Sequence, residues 1–80
     1  MRFTVTWHTT ALDELSEIWL AVHERVSLAA ALVDRVLADD PQTKGDEYYG
    51  DRIIVVDTIE IRFKVLELDR VVRIDEVRGH

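Results

Sequence analysis

Thr58-Ile59-Glu60-Ile61-Arg62-Phe63-Lys64-Val65-Leu66-Glu67-Leu68 alternates apolar and polar residues for most of its length. Successive side chains of a strand point to opposite faces, so this spacing predicts a strand. Ile59, Ile61, Phe63 and Val65 form its buried face, and Glu60, Arg62 and Lys64 its solvated one. Upstream, Arg52 to Asp57 reads as a second strand, apolar on both faces through Ile53, Ile54, Val55 and Val56. Downstream, Asp69-Arg70 is a two-residue turn and Val71 to Val77 a further strand with less regular alternation. Three consecutive strands of this kind predict an antiparallel meander. Arg78, Gly79 and His80 form a tail.

Towards the N-terminus, Arg2 to Trp7 alternates as well, with Phe3, Val5 and Trp7 on one face. Thr10 is the expected N-cap of a first helix, which places Asp13 at its third position. Ala11, Leu12, Leu15, Ile18, Trp19 and Val22 then follow helical spacing, and Asp13, Glu14, Glu17 and Glu24 fall on the opposite, solvated side. Ser27 is the expected cap of a second helix reaching about Asp39, with Ala29, Leu32, Val33, Val36 and Leu37 as its stripe. Pro41 stops it. His23 to Val26 leaves only a tight connection, so the two helices form an antiparallel hairpin. Residues 41–51 hold the chain's single proline and both tyrosines, and are expected to be its one substantial loop.

Together these segments predict an α+β domain spanning residues 1–80. It has two layers in the order β-α-α-β-β-β, with the helical hairpin packed on a mostly antiparallel four-stranded sheet. Phe3, Val5, Trp7, Ile59, Ile61, Phe63 and Val65 are expected to meet the helical stripes. Ile54, Val56, Leu66 and Leu68 fall on faces that two helices do not fully cover, which predicts a surface for another molecule.

Composition narrows the function classes. The chain has no cysteine, which excludes disulfides and thiolate sites. His8 and His23 lack metal-ligand spacing and read as surface or helix-flanking residues. No metal or cofactor is expected. No apolar run approaches the roughly 18 residues of a membrane span, and Met1 to Val5 does not resemble an export signal, so a soluble cytoplasmic protein is expected. The net charge of −6 argues against general nucleic-acid binding, which draws its affinity from a basic field.

Residues spread through the chain resemble the RelE/ParE superfamily of bacterial type II toxins. They are the opening strand ending in Trp7, then Ala11, Leu12, Leu15, Ile18 and Trp19, and the Leu37-Ala38-Asp39-Asp40-Pro41 helix end. They continue with the Lys44-Gly45 turn, Gly50-Asp51-Arg52, the Ile61-Arg62-Phe63-Lys64-Val65 strand and the Asp69-Arg70-Val71-Val72 hairpin. The resemblance implies a last strand lying beside the first, and a toxin neutralised by a partner antitoxin. Its target would be ribosome-bound messenger RNA or DNA gyrase. In nuclease members the chemistry is metal-independent attack of a 2′-hydroxyl on the adjacent phosphate.

On that resemblance the catalytic candidates are Arg52, Lys44, Arg62 and His80. Lys64, Arg73, Arg78, Tyr48 and Tyr49 are the RNA- or target-binding candidates. Several have plain structural readings. Arg73 beside Asp75 and Arg62 beside Glu60 are expected surface ion pairs, Tyr48 and Tyr49 expected loop anchors, with one packed inward. From Lys44 onward there are seven basic and nine acidic side chains, so a phosphate there meets a mixed field. The sequence also ends soon after the fourth strand, where many nuclease members carry a catalytic extension. Both features favour a target other than RNA, or a non-catalytic interaction module, homodimeric or bound to a partner.

Overall fold

The computed structural model describes residues 2–79, apart from the side chains of Val22 and His23. Strand β1 (Thr4–Trp7) leads into one helical run, α1 (Thr9–Leu37). A 3-10 turn at Pro41–Thr43 follows, then β2 (Asp46–Tyr48), β3 (Asp51–Val56), β4 (Ile59–Leu66) and β5 (Val71–Gly79). The strands make one sheet in the order β1-β5-β4-β3-β2. β1 runs parallel to β5, and the remaining neighbours are antiparallel. The last strand therefore lies beside the first, as the resemblance implies.

The two helices expected from the sequence are arms of one folded-back run. At about 1.5 Å per residue a straight helix of this length would extend roughly 42 Å, whereas the longest dimension of the whole chain is 36 Å. α1 starts two residues after β1, at Thr9, and its far end returns to the same N-terminal segment. Phe3 N–H donates to Ala38 O at 2.7 Å, and Trp7 Nε1 donates to Asp34 Oδ1 at 2.8 Å. The reversal falls between Trp19 and Ser27, whose Nε1 and Oγ meet at 3.1 Å. Ser27 is thus a cross-arm acceptor and not the cap of a separate helix. The N-cap of α1 is His8, whose Nδ1 accepts from Thr10 N–H at 3.2 Å, so Thr10 already lies inside the helix.

The core sits between the hairpin and one face of the sheet. Phe63, Ile59, Ile61, Ile74 and Val72 meet Val26, Ala29, Val33 and Leu37, all essentially inaccessible to solvent. Ala11, Ala29 and Val33 suit this site because small side chains let the arms approach the sheet closely. Leu12, Trp19 and Leu32 do not join them and are 47%, 44% and 41% exposed. The outer flank of the predicted stripe faces the groove between the arms or the solvent, because each arm buries only a narrow side. Of the apolar residues expected to lie uncovered on the sheet, Val56 is buried and Ile54 packs against the core, while Leu68 is fully exposed.

Two further departures concern the sheet. It has five strands because Asp46–Tyr48, within the expected loop, pairs antiparallel with β3. Gly45 makes this possible at φ +66°, where a Cβ would stand 2.2 Å from Ile53 O. The irregular alternation of β5 is a β-bulge: Arg62 pairs with Glu76 but Phe63 with Ile74, leaving Asp75 as the extra residue. Beyond Ile74, β5 outruns β1, and Val77 N–H is taken instead by Glu14 Oε1 at 3.0 Å. Glu14 therefore closes an open sheet edge instead of sitting on the solvated side of α1.

Candidate functional site

The sheet face turned away from α1 collects most of the sequence-predicted site residues. Register fixes their order. Arg73 opposes Lys64, while Glu76, Arg62, Ile53 and Asp46 form a neighbouring row, and Arg78 and Glu60 with Val55 form a third. A shallow depression of about 260 Å³ lies over these rows, lined by Tyr48, Ile53, Glu60, Arg62, Glu76 and Arg78.

Each of the four cations on this face meets a carboxylate of the same face. Lys64 Nζ lies 3.6 Å from Asp51 Oδ1, and Arg62 Nε lies 3.7 Å from Asp51 Oδ2. Arg62 Nη1 also reaches Glu76 Oε2 at 3.3 Å, and Arg78 Nε reaches Glu76 Oε1 at 2.6 Å. Lys64-Asp51-Arg62-Glu76-Arg78 is thus one alternating chain of charge. Arg73 stands apart, forked onto the bulged Asp75 at 2.7 and 3.3 Å. Its hydrogen bond to Asp75, reinforced by the charge there, raises the guanidinium pKa above its ordinary value; Glu76 does the same for Arg78. Both arginines stay charged throughout the physiological range. The Arg73–Asp75 pair was legible from sequence; Arg62 pairs across strands with Asp51 and Glu76 rather than with Glu60.

Arg52 is not part of this face. It opposes the fully buried Phe63 across β3 and β4, so it lies on the helix side of the sheet at its margin. Its Nε donates to Lys44 O at 2.7 Å and its Nη2 to Gly45 O at 2.9 Å, pinning the turn before β2. The link between Arg52 and Lys44 runs through the Lys44 backbone. Tyr48 and Tyr49 meet edge to face with ring centroids 4.8 Å apart. Neither packs inward: Tyr48 is 45% and Tyr49 93% exposed. His80 lies outside the described residues.

Residues that the sequence reading missed are Asp51 and Glu76, the two carboxylates that each bridge two cations. Their side chains are only 20% and 21% exposed. Their signal is positional, since both fall opposite Arg or Lys once the register is known, and a bulge hides that register in the sequence. Among the described residues no cluster of histidine and acidic side chains is arranged to hold a metal ion. No described helix is long and apolar enough to cross a membrane.

The other face of the domain offers a different surface. Between the arms of α1 runs a groove of about 480 Å³, with Trp7, Leu12 and Trp19 among its walls and Ser16, Ala30 and Ala31 among its small side chains. It is continuous through Trp19 and Ser27 with a second hollow bounded by Glu24 and Leu28.

Comparison with known proteins agrees with this architecture. No family model matches the chain, and no curated protein does. Among solved structures, a chain of the toxin–antitoxin complex RelBE2 from Mycobacterium tuberculosis superposes with a TM-score of 0.80. The alignment covers 100% of this chain and 93% of that one, at 17% sequence identity. Two crystal structures of TrmO from Pseudomonas aeruginosa align at a TM-score of 0.70, with 20% and 22% identity. They match 98% of this chain but only 34% and 36% of their own, so there the same architecture is one part of a longer protein. The chain therefore shares its fold with that chain of the RelBE2 complex.

Proposed function

We propose that this protein is the toxin component of a type II toxin–antitoxin pair, active in the cytoplasm when free and silenced by a partner antitoxin. The end-to-end likeness to a chain of a toxin–antitoxin complex, over almost the full length of both, carries this reading. The geometry of the sheet favours a toxin that works by binding a macromolecular target, as a gyrase-directed toxin does, over one that cuts messenger RNA. A phosphodiester brought to Arg62, Lys64, Arg73 or Arg78 meets a carboxylate already beside the cation, and Arg52 is engaged with backbone carbonyls. Stabilising the charge that develops on a cleaved phosphate needs donors aimed outward and unspent.

Induced expression in a bacterial host tests the proposal. Growth arrest is expected, relieved by co-expression of a cognate antitoxin. Arrest should occur without ribosome-programmed messenger cleavage. Unimpaired growth would reject the toxin reading. It would favour the second reading, a non-catalytic interaction module of the same fold, which the self-neutralised sheet face also suits.

A further inference from the structure

The two most exposed large apolar side chains among the described residues, Leu68 at 102% and Tyr49 at 93%, stand on turns at one end of the sheet. Tyr49 and Gly50 join β2 to β3 beyond the Tyr48–Asp51 pair, and residues 67–70 join β4 to β5. Asp51, beside the first turn, lies 3.6 Å from Lys64, and β4 ends two residues later at Leu66. The turns are therefore neighbours, two strand spacings or ~10 Å apart across the sheet.

Folding requires neither side chain. Tyr49 and Gly50 adopt φ +46° and +87°, a turn that asparagine and glycine make with least strain, and tyrosine gains no burial there. Its ring rests edge to face against Tyr48, with centroids 4.8 Å apart, which limits its freedom before any partner arrives. In the second turn, Arg70 N–H donates to Glu67 O at 3.2 Å, leaving Leu68 at the first central position, a place polar residues usually take. Leu68 lines a hollow of about 400 Å³ together with Val65 and Leu66.

The charge beside these side chains is acidic and unspent. Asp46, Glu47, Glu67 and Asp69 are exposed and have no ion-pair partner among the described residues. Arg70 is the one basic residue in residues 46–50 and 67–70. This reverses the outer sheet face, where each cation already meets a carboxylate.

We propose that this end of the sheet grips the protein's macromolecular target, with Tyr49 and Leu68 entering apolar hollows of a protein surface rimmed by lysine and arginine. Apolar anchors ringed by complementary charge give a compact contact both affinity and orientation. Nucleic acid is repelled by the same carboxylates, and a second copy would set acidic turns against acidic turns. The inference rests on the reading of the protein as a toxin that works by binding its target.

The test is selection of phage-displayed random peptides on the wild-type chain, with Tyr49→Asn/Leu68→Ser as soluble competitor. The double variant should melt no lower than wild type, since asparagine suits the turn and Leu68 is unpacked. Surviving peptides are expected to combine aromatic or aliphatic residues with lysine or arginine. A synthetic survivor should bind wild type at least about tenfold more tightly than the double variant, and Glu67→Lys/Asp69→Lys should weaken it and flatten its salt dependence. Survivors that bind the double variant equally, survivors rich in acidic residues, or no survivors at all would overturn the proposal. So would light scattering that finds a dimer which the double variant splits. In the growth assay the double variant should fail to arrest cells yet still hold a cognate antitoxin. Full arrest by the double variant, or loss of the antitoxin together with arrest, sinks this surface and leaves the toxin reading standing. Peptide binding as expected without arrest by wild type does the reverse.

Discussion

On the sheet, Arg62 and Arg78 share Glu76, Arg62 and Lys64 share Asp51, and Arg73 holds Asp75. On the hairpin, Leu20 and Leu28 stand 76% and 66% exposed at the surface. The contrast separates two kinds of surface that a sequence presents alike, as residues left outside the core. A charge paired on its own face has little to offer a ligand, since the ligand must first replace a contact worth about 0–1 kcal/mol and then match its geometry. An exposed leucine has all of its transfer free energy still to give, about 1.5–3 kcal/mol if a partner buries it fully.

The contrast is sharpened most by truncating one large side chain on each side of α1. Phe63→Ala removes a fully buried ring from the core and is expected to cost about 3–5 kcal/mol, close to the whole stability of so small a domain. Trp19→Ala, at 44% exposure, should cost only about 1–2 kcal/mol while flattening the groove. Urea denaturation measures both. Equal losses would mean that Trp19 is a core residue and the hairpin no free surface.

Arg52→Ala comes next. It removes two hydrogen bonds from a charged donor to Lys44 O and Gly45 O, so a loss of about 1–3 kcal/mol is expected. Hydrogen exchange should show the amides of β2 opening first. A variant of unchanged stability but altered nucleic-acid binding would return Arg52 to the functional site.

Smallest of all is Arg25→Ala. Its guanidinium tethers the hairpin tip to the β3–β4 turn through Asp57 at 3.4 Å, with both partners substantially exposed. The change should be under about 0.5 kcal/mol by the same denaturation. A larger loss would mean that the tip is held to the sheet by charge and not by the buried face of the arms.

Much of this was legible in the sequence. The β4 alternation fixed its faces, Pro41 marked the end of the second arm, and the tight spacing at His23 to Val26 required a reversal. Lys44-Gly45 marked a turn, although not the short strand that follows, since Asp46-Glu47-Tyr48 lacks β-branched residues and forms only by pairing with β3. The bulge at Asp75 was visible merely as untidy alternation, because it is defined by the partner strand. That one residue moves Glu76 opposite Arg62, so it decides the electrostatics of the candidate site. The exposure of Trp19 was equally out of reach. Periodicity places it on the apolar side of its helix, but whether that side meets the sheet or a groove depends on the angle at which the arms pack.

The central claim, that this sheet face spends its cations on its own carboxylates, is tested most directly by anisotropy of a labelled single-stranded RNA at near-physiological salt. The wild-type chain is expected to show no saturable binding, and the double variant Asp51→Asn/Glu76→Gln to bind with an affinity that falls steeply as salt rises. Tight wild-type binding that Arg62→Ala abolishes, or a double variant as inert as wild type, would contradict it.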